Sequence, residues 1–252
     1  MEFFEIDPVH VVMALATVVA LPLLLRRRNR HLKDLSRFAD ENGFEFVAAK
    51  KLGGPGESRW KYTVDGRHDD VWFRQYAAFY PFDTDRAQRV WAQLVKKEDG
   101  ATWRAFRLTV ASGGEGSSDQ YWICTVELPM DLPALQVRPV GFKDKLAGLF
   151  GRRDIQTGSG EFDELFHVSG EDEAFARDFL DSGMKRFLMK EGTFRWQVRG
   201  PHAMLVWPHS FDVKDVEMML FALKRFVGQI PEPVMRKHPG SLVAPSPARP
   251  PV

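Results

Sequence analysis

Few side chains in this chain have the means to do chemistry. Cys124 is the one cysteine and lies in YWICTV, where apolar residues occupy both faces of an extended segment. A thiol attacks only as a thiolate, which needs solvent or nearby cations, so an inert buried sulfur is expected here. His167 completes a thiol–imidazole pair only if folding brings the two together. The run His68, Asp69, Asp70 offers imidazole and carboxylate donors that suit divalent ions. Three successive residues on a turn point in different directions, however, and no second donor set stands at ligand spacing, so solvated turn residues are expected. Glu161, Asp163 and Glu164 in EFDELF cluster carboxylates, as acid–base work requires. They alternate with Phe162, Leu165 and Phe166, the pattern of the wet side of a half-buried element. His202, after Gly200-Pro201, and His209, after Trp207-Pro208, read as loop histidines. The glycines of SGGEGSS and TGSGEF lack the strand–glycine–helix context of phosphate and dinucleotide loops. No catalytic set, cofactor or metal is therefore expected.

Two surfaces are more informative. In GFKDKLAGLFGRR, Phe142, Leu146, Leu149 and Phe150 fall on one helical face, beside Lys143, Lys145, Arg152 and Arg153 with Asp144 as the one acid. Such a basic amphipathic helix either packs on its own sheet with its charges solvated or lies on an anionic lipid surface. The second is the last helix, VKDVEMMLFALKRFVGQI, whose apolar set is too wide for one docking face. It is either enclosed by the core, the favoured reading, or shared with a protein partner through Met218 and Phe221.

Both surfaces depend on what holds the chain in place. Val9 to Leu25 carries no formal charge over about 17 residues, or about 26 Å of helix, just enough to cross a bilayer core. Asp7 can accept the first free backbone N–H groups and Pro8 suits the first helical position. A cleaved secretory signal carries its cations first and small residues after its apolar run. Here the front end (Glu2, Glu5, Asp7) is acidic, and Leu23, Leu24 and Leu25 run straight into arginine. Arg26, Arg27, Arg28, Arg30 and Lys33 resist translocation, which predicts a single-pass membrane protein with its N-terminus outside and its C-terminal domain cytoplasmic. Arg26, Arg27, Arg28 and Arg30 join Lys143, Lys145, Arg152 and Arg153 as expected lipid contacts. The net charge of +1 argues against a nucleic-acid binder, and the lone cysteine against a disulfide scaffold.

The elements that must position these groups divide the chain into a short outside segment (1–8), the membrane span (9–25), a basic juxtamembrane helix (26–43) stopped by Gly43, a globular domain (44–230) and a Pro-rich tail (231–252) expected to be disordered. FEFVAA, RWKYTV, DVWFRQYAAFY, WRAFRLTV and QYWICTVEL read as strands, the second and third joined by an Asp65-Gly66 turn. Ser169 with Asp172 resembles a capping box that starts a helix buried through Phe175, Phe179 and Leu180. A second helix carries Met184, Phe187 and Leu188 up to Gly192. FRWQVR and AMLVW are expected to pair as a hairpin around Gly200-Pro201, before the last helix from Val213 to Val227. Strands grouped first, with helices and a hairpin later, indicate an α+β domain with a mainly antiparallel sheet. Seven Trp and twenty Phe predict a core rich in rings.

The anchor followed by LPALQVRPVG, LFGRRDI and GEFDELFHVSGEDEAFARDFL resembles a group of uncharacterised single-span bacterial membrane proteins classed as a domain of unknown function. The similarity runs from about Leu21 to Pro231 and is most specific between Leu132 and Leu180. It implies the architecture of anchor plus domain and transfers no catalytic residue. Two functions follow from the whole reading: a membrane-tethered, non-enzymatic module that binds lipid or protein, or an enzyme on a membrane-proximal substrate using dispersed histidines and carboxylates. The first is favoured, because nothing in the sequence signals catalysis.

Overall fold

A computed structural model describes residues 30–47, 75–83, 88–111, 117–141, 154–208 and 213–240. The first helix, α1 (30–42), buries Leu35, Phe38 and Ala39 at helical spacing. It stops at Gly43, whose φ of 70° lies in the left-handed region that glycine enters without a Cβ penalty. A short strand β1 (Glu45–Val47) follows and pairs antiparallel with β2 (Gln88–Glu98). Asp99 and Gly100, at φ 52° and 77°, turn β2 back into β3 (Ala101–Ala111). Asp-Gly is the residue pair that a tight primed turn demands.

β4 (Ser118–Pro139) is the spine of the sheet, 22 residues long. Its first half pairs with β3, from Ala111↔Ser118 to Trp103↔Val126, and its last residues pair with β5 (Phe166–Gly170). Along its other edge runs β6 (Arg195–Trp207), from Trp122↔Trp207 to Val137↔Trp196. Every one of these pairings is antiparallel. Pro129 and Pro133 sit inside β4 where its register with β6 shifts, between Glu127 and Leu135. Proline has no N–H for the ladder and is tolerated in a central strand at such bulges.

Five more helices complete the mixed α+β fold: α2 (Gly160–Leu165), α3 (Glu173–Phe179), α4 (Ser182–Glu191), α5 (Val213–Val227) and α6 (Glu232–Lys237). Asp172 and Asp181 cap α3 and α4, accepting from the backbone N–H of Phe175 at 3.0 Å and of Met184 at 2.8 Å. Because successive strand residues face opposite ways, the sheet divides its apolar residues between two cores. Trp122, Cys124, Val126, Ala203 and Leu205 pack with α1, α3, α4 and α5 through Phe38, Phe179, Phe187, Met219 and Phe226. Tyr121, Ile123, Phe106, Met204 and Val206 face the other way, under Tyr76, Phe79, Tyr80 and Phe82.

Several local expectations change. Gln75–Tyr80, the described part of the expected DVWFRQYAAFY strand, forms a series of turns that continues through Pro81–Asp83. FRWQVR and AMLVW form one strand, β6, because the bulged β4 offers a continuous partner past Gly200. Ser169 belongs to β5, opposite Gln136, and leaves the capping to Asp172. EFDEL keeps its expected half-buried character as a helix, with Phe162 fully buried and Glu161 and Glu164 exposed. The domain also continues past 230 into the expected disordered tail: α6 buries Val234, and Pro239 bridges to Met130. Among the described residues no helix is long and apolar enough to cross a membrane. The expected span 9–25, Arg26, Arg27, Arg28, the His68–Asp70 run, Lys143, Lys145, Arg152, Arg153, His209 and residues 241–252 lie outside the described residues.

Candidate functional site

The sheet scatters the reactive side chains. Cys124 is fully buried on the helical side, and burial pushes its thiol far above the usual range. His167 alternates with the core residues Phe166 and Val168, so it points to the other side, and its partner Arg138 lies about 46 Å of strand from Cys124 at ~3.3 Å per residue. No thiol–imidazole pair forms. His167 instead contacts Asp154 through Nδ1 at 3.2 Å, while Asp154 also accepts from the Val168 N–H at 2.9 Å. Asp163 accepts from the Thr157 N–H at 3.1 Å and from its hydroxyl at 2.7 Å, which fixes the loop before α2. Glu161 and Glu164 are exposed. Among the described residues no three His, Cys, Asp or Glu side chains gather as a metal site would require.

The polar groups that do gather were not legible as a set. They pin the aromatic strap Gln75–Asp83 onto the sheet. The Tyr80 N–H donates to Gln197 Oε1 at 2.9 Å and Gln197 Nε2 donates to the Tyr80 carbonyl at 2.8 Å, so one side-chain amide pairs a backbone unit as a neighbouring strand would. Tyr80 donates its hydroxyl to Tyr121 at 3.0 Å, and the Tyr76 and Thr125 hydroxyls meet at 2.9 Å. The Arg195 guanidinium, 1% exposed, stands 3.6 Å from the Tyr80 ring centre, a desolvated cation–π contact. Burial lowers its pKa to about 10, so it remains charged at neutral pH. Burial raises the Tyr76 and Tyr80 phenols.

His202 completes this group, in a strand rather than the expected loop. It is buried against the edges of Tyr76 and Phe79, with ring centres 5.3 and 6.4 Å away. Its Nδ1 has no hydrogen-bond partner among the described residues. Burial lowers its pKa, Arg104 adds to the effect and Glu127 opposes it. Beneath the strap, beside Tyr80, Asp83, Gln136, Ser169, Gln197 and Arg199, a cavity of about 30 Å³ remains. That holds little more than a water molecule, whereas small-molecule sites begin near ~300 Å³.

What the molecule offers outward lies elsewhere. Arg30 is exposed at the start of the described part of α1. On α5, Val216, Met219, Leu220, Leu223 and Phe226 are buried, while Met218 and Phe221 stand 47% and 62% exposed. The helix is thus enclosed by the core along most of its apolar set and open at these two residues. Arg225, paired with Glu191 at 2.6 Å, lies 5.8 Å from the Phe221 ring centre.

Fold and site together define a mixed α+β domain with one antiparallel sheet filled on both faces. No family model matches the chain, and no curated protein matches it. Its fold is similar to that of a solved mycobacterial protein, the trehalose monomycolate transport factor A (TtfA), with a TM-score of 0.50, 13% identity, and coverage of 83% of this chain and 97% of that one. At that identity the likeness is one of fold.

Proposed function

We propose that this chain is a membrane-tethered binding or scaffolding module without catalytic activity. In this reading residues 9–25 cross the cell membrane with the N-terminus outside, and the domain works from the cytoplasm on anionic lipid or a protein partner. The observation that carries it is the filling of both sheet faces among the described residues, where Cys124 and His202 are buried singly and Asp154, Asp163 and His167 are tied into structural contacts. Binding then falls to the outer surface. A fold shared with a trehalose monomycolate transport factor is compatible with work beside a membrane, and the resemblance to single-span proteins of unknown function fits the same plan. Arg26, Arg27, Arg28 and Arg30 would rest on the inner leaflet with Lys143, Lys145, Arg152 and Arg153, each adding roughly 1 kcal/mol near anionic lipid. Met218 and Phe221 supply the exposed apolar contact. A reporter fused after Val252 that is active only outside the cytoplasm should stay silent; a strong signal there overturns the topology. Replacing Lys143, Lys145, Arg152 and Arg153 with Glu should weaken low-salt binding to anionic vesicles, and unchanged binding removes that surface.

A further inference from the structure

We infer that β4 and β5 carry an oxyanion site, a square of Gln136, Arg138, His167 and Ser169 on the strap side of the sheet, whose ligand is a phosphate group. The register builds the square: Gln136 stands opposite Ser169, and Arg138 opposite His167. Their chain neighbours Leu135, Val137, Phe166 and Val168 all belong to the helical core, so by strand alternation the four side chains emerge together on the other side. Gln136 and Ser169 also border the cavity beside Tyr80 and Gln197, which lies on that side. Directly opposed residues stand about 5 Å apart and successive rows of one face about 7 Å apart. One tetrahedral anion spans that square with hydrogen bonds to both rows.

The square holds donors and charge that the described residues do not answer. Gln136, Arg138 and Ser169 are half-buried, and their side chains make no hydrogen bond or ion pair among the described residues. His167 meets Asp154 through Nδ1 at 3.2 Å, and its Nε2 has no hydrogen-bond partner among the described residues. Each acid nearby answers to another group: Asp154 to His167, Glu171 to Arg199 at 3.0 Å, and Asp83 to Arg195. Arg138 is left without a carboxylate, and it stands beside a second guanidinium. β6 pairs with β4 through Val137↔Trp196, which sets Arg195 next to Arg138 across the strands. Burial lowers the Arg195 pKa most, and Arg138 adds to that lowering against the opposing effect of Tyr80. Like charges on adjacent strands cost stability, and an anion on Arg138 relieves that repulsion. The guanidinium fork matches phosphate oxygens, with the hydroxyl and amide completing the shell. Donors on both rows call for more acceptor oxygens than a carboxylate carries.

The site stands apart from the tether, so its test leaves that reading untouched. The full chain in a neutral detergent is titrated by calorimetry at constant ionic strength with inorganic phosphate and with a short-chain phosphatidic acid. Saturable binding is expected, weakened about tenfold by Arg138→Gln and by a smaller factor by Ser169→Ala. Arg236→Gln on α6, whose arginine pairs with Glu232, should leave it unchanged. Equal affinity for the two compounds assigns the group to a free phosphate, and preference for the phosphatidic acid assigns it to a lipid headgroup. On the unaltered chain, phosphate should protect Arg138, and not Arg236, from phenylglyoxal, which reads occupancy without any variant. Binding of neither compound, equal affinity of the parent and Arg138→Gln, or equal labelling of Arg138 with and without phosphate overturns the site.

Discussion

The two faces of the sheet are covered by different means. The helical face is closed by α1, α3, α4 and α5 through many interlocking apolar contacts: Phe226 alone stacks on Trp196 at 4.6 Å and meets Phe179 at 5.9 Å and Phe187 at 6.3 Å. The opposite face is closed at Gln75–Asp83 by a strap whose backbone is held by Gln197 and whose rings are tied to Thr125, Tyr121 and Arg195. Apolar burial is additive and forgiving of direction, so the helical face stands or falls with the whole domain. Polar pins are few and directional, and losing one leaves its buried partner unsatisfied. The strap is accordingly the place for local opening without global unfolding.

That contrast sets a ranking of effects. Phe226→Ala, which empties a site shared by α3, α4 and β6, should cost about 3–5 kcal/mol in denaturant unfolding; a loss below about 1 kcal/mol would mean that these elements do not share one core. Gln197→Leu strands the Tyr80 N–H and carbonyl and should cost about 1–3 kcal/mol. The loss should appear as faster hydrogen exchange confined to Gln75–Asp83, and equal deprotection of α5 would erase the distinction between the faces.

Acid should act on the strap face through His202. Its native pKa lies below the unfolded value of about 6.5, so between the two values the unfolded chain binds the proton and the folded one does not. Stability is whole above about pH 6.5 and falls as pH drops toward the native pKa, by at most about 1.4 kcal/mol per pH unit. His202→Phe, which keeps a ring between Tyr76 and Phe79, should flatten that slope; an unchanged slope assigns it to other groups. Phe221→Ser on the outer side of α5 should be the mildest, within about 0.5 kcal/mol in thermal melts, since that ring is 62% exposed.

Elements governed by near neighbours were readable before any tertiary structure. α5 spans Val213–Val227 as its 3.6-residue apolar period predicts, α1 stops at Gly43, and WRAFRLTV and QYWICTVEL lie in β3 and β4. The Asp99-Gly100 turn carries an equally local signal, the same dipeptide as Asp65-Gly66. The inertness of Cys124 was visible from the apolar residues on both sides of it, and its isolation from His167 was not, because that depends on which face and which end of β4 each occupies. Ser169 matches a cap by spacing, yet its backbone is taken by Gln136. Gly200-Pro201 has the composition of a turn, yet a bulged β4 draws it into a strand. The segment after Pro231 has the composition of a disordered tail, yet Val234 is buried in the core and Pro239 pairs with Met130, more than a hundred positions back. The strap is the strongest case, since Tyr80 and Gln197 are 117 residues apart. Hydrophobic period, caps and turn dipeptides act within a few residues and so are written in the sequence itself. Strand partners, buried polar pins and the fate of a tail depend on contacts whose chain-closure cost is repaid only when the whole sheet assembles, and only the tertiary structure decides them.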